Sequence, residues 1–259
     1  MARTLLREPT VNNLRGKRAG LGAAWPFVEL GFPPLGIMVW DDHFVGDLFY
    51  GGAAPGVYQS TAAGAASVTL ALVAGAVGGR ALLDAGTDDD GRSDMSLGLH
   101  YQGQLNCVVW WRFQVNTLST MKFELGFTDV VSGTDAGAAL SKSGNTWTAT
   151  DAVVLIIDTD DDANLSLMGV DSGVAATPVD FDVALVAATF YYLGLALEDT
   201  VAEGVLLDAN GRFLDRKTIT AACSEDVGLT PWAFVQNRST VQRTMTIDRL
   251  VAYQRESDN

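Results

Sequence analysis

The stretch Asn106–Asp129, NCVVWWRFQVNTLSTMKFELGFTD, does most to fix what this chain can fold into. Cys107, Val109, Trp111, Phe113 and Val115 fall on one face of a strand, and Val108, Trp110, Arg112 and Gln114 on the other. After the loop Thr117–Thr120, Met121, Phe123, Leu125 and Phe127 alternate with Lys122, Glu124, Gly126 and Thr128. A period of two marks half-buried antiparallel strands, because successive side chains point to opposite faces of a sheet. The loop is short enough to make the two strands hairpin neighbours. Two large apolar rows need a facing layer, which the rest of the chain must supply.

Short apolar or alternating segments recur at 37–40, 67–73, 80–84, 96–102, 152–157, 165–170, 179–186, 190–197, 205–208, 212–215, 232–236 and 245–253. Glycine and aspartate punctuate them, and Asn210-Gly211 is a strong hairpin turn. Ala152–Ile157 is apolar at every position, as a central strand covered on both faces would be. A chain of 259 residues with this texture is expected to be all-β, as two packed antiparallel sheets or a closed barrel. Residues 1–40 differ: they are basic, then rich in glycine, proline and scattered aromatics, with no period. The expected division is an irregular N-terminal arm, 1–40, and one β-domain, 41–259.

Charge separates the same two parts. Arg3, Arg7, Arg15, Lys17 and Arg18 face one acid, Glu8, within the first 18 residues; the remainder carries 12 basic and 30 acidic residues. An acidic body repels phosphates, so nucleic acid is not an expected partner of its general surface. The five basic residues and Trp25 are the candidates for an arm that orders by docking on a partner protein. MARTLLREP has no apolar core of a secretory signal, and the most apolar segment, Ala62–Val77, is too short and glycine-rich to span a membrane. Cys107 sits on an apolar face, where a thiol behaves as a small hydrophobe, and two cysteines make no disulfide scaffold.

Catalytic signatures are weak. His43 follows Asp41-Asp42, and His100 lies on the less apolar face of its segment, but no nucleophile, phosphate-loop or zinc motif accompanies either. Asp180-Phe-Asp182 has strand spacing for a carboxylate pair, without a cleft to place it in. Asp158, Asp160 and Asp162, with Asn164, sit at positions one, three, five and seven of a calcium-type loop, because a hard cation takes several oxygens from one tight turn. Ala163 stands where that loop needs glycine, and Gly169 where it needs glutamate. No cofactor is therefore expected, with calcium at the three aspartates as the alternative. Trp110, beside Arg112 and Gln114, is the candidate glycan-stacking residue, against burial under a loop or partner chain.

Several segments together resemble a known pattern: VWWRFQV at 109–115, KFELGFTD at 122–129, AVVLIIDTD at 152–160, FYYLGL at 190–195 and TIDRLVAY at 246–253. Their order and character are similar to concanavalin A/laminin-G-like jelly rolls, especially those of tailed-bacteriophage virion proteins. The resemblance implies a two-sheet antiparallel jelly-roll sandwich, with a concave face that binds glycans in lectin relatives. The Glu-x-Asp-x-Glu strand of glycosidase relatives is missing, so no enzyme is expected. The implied function is a structural virion protein, a capsid decoration or head fibre held by the arm. It would sit on the virion exterior in many copies, among other virion proteins, after synthesis in the host cytoplasm. The alternative is a lectin-like tail-fibre or tail-tip module that binds a host surface glycan.

Overall fold

The computed structural model describes residues 37–44, 58–59, 62–63, 69–73, 76, 79–130 and 137–255. The arm residues Arg3, Arg7, Arg15, Lys17, Arg18 and Trp25 lie outside the described residues. The strands, in chain order, are β1 (Ile37–Asp42), β2 (Ala62–Ala63), β3 (Thr69–Leu72), β4 (Ala81–Asp84), β5 (Arg92–Ser96), β6 (Cys107–Val115), β7 (Met121–Thr128), β8 (Ala139–Ser141), β9 (Thr146–Trp147), β10 (Ala152–Asp158), β11 (Asp162–Asp171), β12 (Val174–Ala175), β13 (Val179–Asp180), β14 (Tyr191–Glu198), β15 (Val201–Leu207), β16 (Phe213–Ile219), β17 (Thr230–Asn237) and β18 (Thr244–Arg255). They build an all-β sandwich of two antiparallel sheets. The first runs β16-β15-β14-β6-β18-β4-β3 with β1 on β18, and the second β12-β11-β10-β7-β17-β5-β2 with β13 on β11.

The pairing of β6 and β7 is not the expected one. They are not hairpin neighbours but lie in different sheets: β6 pairs with β14 and β18, β7 with β10 and β17. β6 and β7 are both interior strands of their sheets, so the short connection carries the chain across one end of the sandwich. The two apolar rows are therefore each other's facing layer. Phe113 and Phe123 meet with ring centroids 5.5 Å apart, and Tyr101 packs on Phe127 at 5.7 Å. Trp111, Phe113, Phe123 and Phe127 are all core residues.

Two expected strands are shortened. Segment 96–102 leaves its sheet after Ser96, and Gly98, at φ 126°, adopts a backbone conformation that favours glycine. Segment 179–186 pairs only at Val179–Asp180; Phe181 N–H still reaches the Leu165 carbonyl at 2.8 Å, and Asp182 N–H turns the other way, to Asp215 Oδ2 at 2.7 Å. At the other end, β1 crosses the expected boundary at residue 40. Its whole length pairs with Leu250–Arg255 of β18, so residues 37–40 belong to the sandwich.

Candidate functional site

The outer face of the second sheet is where an open β-sandwich would offer a broad ligand surface. Here it is closed. β7, expected to be half-buried, is buried at every position. The reason lies in residues 137–149. They carry the short pair β8–β9 and pack Ala138, Ala139 and Ala149 on Val154, Ile156, Met168, Trp232 and Phe234. This flap also explains the unbroken apolar run of β10: Val153, Leu155 and Ile157 enter the core between the sheets, and Ala152, Val154 and Ile156 lie under the flap.

Beneath the flap lies an ion pair. Lys122 Nζ is 3.0 Å from Glu124 Oε1, and both side chains are 0 % exposed. Lys122 also donates to the Ala139 carbonyl. Glu124 accepts from the backbone N–H of Ala138 and Ala139 at 2.8 and 3.1 Å and from Trp232 Nε1 at 2.9 Å. A carboxylate with that many donors is satisfied, which is what makes its burial tolerable. Gly137, at φ 81°, lets the chain turn directly over it; a Cβ there would sit 2.6 Å from Glu124 Oε1. The two residues expected on the polar face of β7 thus fix the flap in place.

The Asp-rich turn has a related job. Asp158, 1 % exposed, is held by Arg238 at 3.2 and 2.6 Å. Arg238 Nε also lies 3.8 Å from Asp160. Asp161 accepts from Ser143 N–H, Ser143 Oγ and Ser141 Oγ at 2.9, 2.8 and 3.0 Å. Asp162 accepts from its neighbour Asn164 N–H at 2.9 Å and pairs with Lys142 at 3.2 Å. Asn164's backbone N–H foremost, with Lys142 adding to it, holds the Asp162 carboxyl below the usual carboxylate range. Asp158, Asp160 and Asp162 therefore do not converge on a cation. Among the described residues no group of three or more His, Cys, Asp or Glu side chains is arranged to hold a metal ion. In this structure these carboxylates engage Arg238, Lys142 and two serines, and the turn latches the flap.

Trp110 is 3 % exposed. It packs with Val108, Val205, Val251 and Tyr253 on the outer side of the first sheet, seated over Gly194, where a Cβ would come within 2.7 Å of the indole. An enclosed ring cannot stack on a sugar, so burial describes this residue. His43 and Asp41 are 4.0 Å apart, and Asp41 is instead engaged by Arg249 at 3.0 and 2.9 Å. Asp180 accepts from Ser166 Oγ and Asp182 pairs with Lys217 at 2.7 Å, so neither is a spare carboxylate. Cys107 and Cys223 are free and buried, and burial pushes both thiols up.

Among the described residues, an open hollow of about 270 Å³ is lined by Met38, Val39, Trp40, Leu97, His100 and Tyr101. Trp40 Nε1 donates to Tyr58 Oη at 3.1 Å, and Tyr58 donates to Asp42 Oδ2 at 2.6 Å. Burial first, and the Asp42 carboxylate second, raise the Tyr58 pKa and keep it a donor. The rings of Trp40 and Tyr58 meet edge to face at 6.2 Å. The hollow approaches the lower end of ligand-site sizes, roughly 300 Å³. Sequence reasoning missed it because its walls come from two segments, 38–40 and 97–101, that only the β1–β18 pairing and the break at Gly98 bring together.

No protein-family model and no curated protein matches the sequence. Solved structures match its shape. A protein of unknown function from Shewanella oneidensis MR-1 superposes with a TM-score of 0.60 at 15 % identity, over 86 % of this chain and 88 % of that one. The exoplasmic/lumenal domain of VIP36, with Ca2+ and Man3GlcNAc bound, gives 0.54 at 12 % identity over 78 % and 86 %. Peanut lectin, solved with a nine-residue peptide, gives 0.54 at 8 % identity over 84 % and 97 %. The fold is therefore the lectin-type jelly-roll sandwich.

Proposed function

We propose that this protein is a non-enzymatic structural component of a tailed-phage particle, a capsid decoration or head fibre. It would be displayed on the exterior in many copies and attached through the residues that precede β1. The observation that carries the reading is the sealed outer face of the second sheet. Asp94, Glu124 and Asp158, the carboxylates across its middle, are 0, 0 and 1 % exposed, and its own flap occupies the space above Glu124. A body closed in this way serves as a scaffold, and its chemistry is left to the periphery. The acidic body, 30 acids against 12 bases after residue 18, suits a protein that must stay soluble when crowded and not cling to nucleic acid. The basic residues before β1 supply the opposite sign for contact with a partner. A chain beginning at residue 36 keeps all of β1, so it should fold as the full chain does yet fail to join the particle. Attachment by that truncated chain would refute the reading.

The hollow at Trp40 favours a second reading, a glycan-binding module on a tail fibre or tail tip that meets a host surface glycan. An aromatic wall with a neighbouring imidazole can pack against a sugar ring and hydrogen-bond its hydroxyls. A glycan array should then show binding that Trp40→Ala abolishes and Trp110→Phe leaves unchanged. An array without hits removes this second reading and leaves the first standing.

A further inference from the structure

On the outer side of the first sheet, β18 carries one residue more than its partner. Ile247 pairs with Phe113 and Arg249 with Arg112, so Asp248 is the extra residue of a bulge. Bulges re-aim side chains. Ile247 and Leu250 stay fully buried, and Asp248 and Arg249 are both partly exposed. The bulge falls where β18 changes partner, from β4 at Thr244–Ile247 to β1 at Leu250–Arg255. Arg80, just ahead of β4, donates to Asp248 Oδ1 at 3.0 Å. Arg112, from β6, donates to Asp248 Oδ2. Phe190 lies against both guanidinium groups, at 5.1 Å from Arg80 and 4.4 Å from Arg112, with Tyr192 5.7 Å from Arg112. Arg249 stands apart, neutralised by Asp41.

Among the described residues, two guanidinium groups thus share one carboxylate and leave one positive charge in excess, on a chain whose net charge is −14. Each guanidinium offers five N–H donors, and the contact with Asp248 uses one nitrogen of each. The side chains of Arg80, Arg112 and Asp248 are 36, 23 and 19 % exposed, and Phe190 and Tyr192 are half-buried. We infer that Arg80, Arg112, Phe190 and Tyr192 form a binding site for a carboxylate-bearing sugar, of the uronic or sialic acid class. A planar carboxylate matches the fork of an arginine. The C–H face of a pyranose packs on an aromatic ring. A bare anion would leave the rings unused, and a neutral sugar would leave the charge unused. The acidic surroundings repel long polyanions, so the site takes one acidic sugar at a time. The assignment rests neither on the hollow at Trp40 nor on a role in a particle.

Calorimetric titration of the full chain with D-glucuronate and, at matched concentrations, with D-glucose tests it. Saturable binding of glucuronate and none of glucose is expected. Arg112→Gln should weaken glucuronate binding about tenfold or more. Asp248→Asn, which removes the competing carboxylate, should tighten it. Trp40→Ala should leave it unchanged. Circular dichroism checks that each variant is folded. Equal binding of glucose, no saturable binding of glucuronate, an unaltered Arg112→Gln variant, or weaker binding by Asp248→Asn would each overturn the assignment. Polyglutamate or acetate binding as tightly as glucuronate would overturn it in favour of an acidic protein partner.

Discussion

Phe113 and Phe123 touch across the middle of the sandwich, ring centroids 5.5 Å apart, one from each sheet. The connection that separates them is the corner at which the chain passes from one layer to the other. Both rings are essentially inaccessible to water. Phe123→Ala should therefore cost about 3–5 kcal/mol, the lost transfer energy plus a cavity that close packing cannot fill. Urea denaturation of the variant measures this. A loss below about 1 kcal/mol would mean that the sheets do not depend on this contact.

Lys122 and Glu124 are a buried pair whose energetics are asymmetric. Removing one partner leaves a charge without its counter-ion in a dry site, so Glu124→Ala should destabilise by about 3–5 kcal/mol. Replacing both, as Lys122→Met with Glu124→Leu, should cost much less than the sum of the single changes. A double-mutant cycle in urea shows which holds. Additive losses would contradict the pairing.

The flap should loosen without the sandwich melting. Asp161 holds it through Ser141 and Ser143 at an exposed turn, where hydrogen bonds contribute about 1 kcal/mol each at most. Asp161→Ala should speed amide exchange across residues 141–147 and leave β7 and β10 protected. Unchanged exchange would show that the latch lies elsewhere.

Stability should fall on the alkaline side. Burial raises the pKa of Tyr58, Tyr101, Tyr253, Cys107 and Cys223. The unfolded chain releases these protons from about pH 8.5 for cysteine and about 10 for tyrosine. The folded chain keeps them, so it binds more protons there, and stability declines as pH rises through those values. Below about pH 8 both states are protonated at these groups and they add no slope. The urea midpoint should be level near neutrality and drop progressively above about pH 9. A midpoint level up to about pH 11 would contradict the burial of these groups.

Much of this architecture was legible in the residues. Alternation along β6 and β7 identified the core rows, and the solid apolar run of β10 announced a strand covered twice. What alternation could not convey is which strand pairs with which. A period of two is equally satisfied by a hairpin and by two strands facing each other across a core. Lys122 and Glu124 were misjudged for a physical reason: charged residues are almost never fully buried unless paired, and the pairing here depends on a flap of alanines and glycine with no strong pattern of its own. The spacing of the Asp-rich turn did not reveal its protein partners in a similar way, since carboxylates spaced for a cation are equally spaced for Arg238, Lys142 and two serines. The arginine pair at the bulge gave no sequence signal, because Arg80, Arg112 and Asp248 are far apart in the chain and meet only where β18 exchanges β4 for β1.

The most direct test of the particle role moves residues 1–36 onto an unrelated soluble carrier protein and measures co-sedimentation with particles that lack this chain. The account predicts that the carrier sediments with the particles and that replacing Arg3, Arg7, Arg15, Lys17 and Arg18 with glutamine releases it. A carrier that stays in the supernatant while the chain beginning at residue 36 sediments would contradict it.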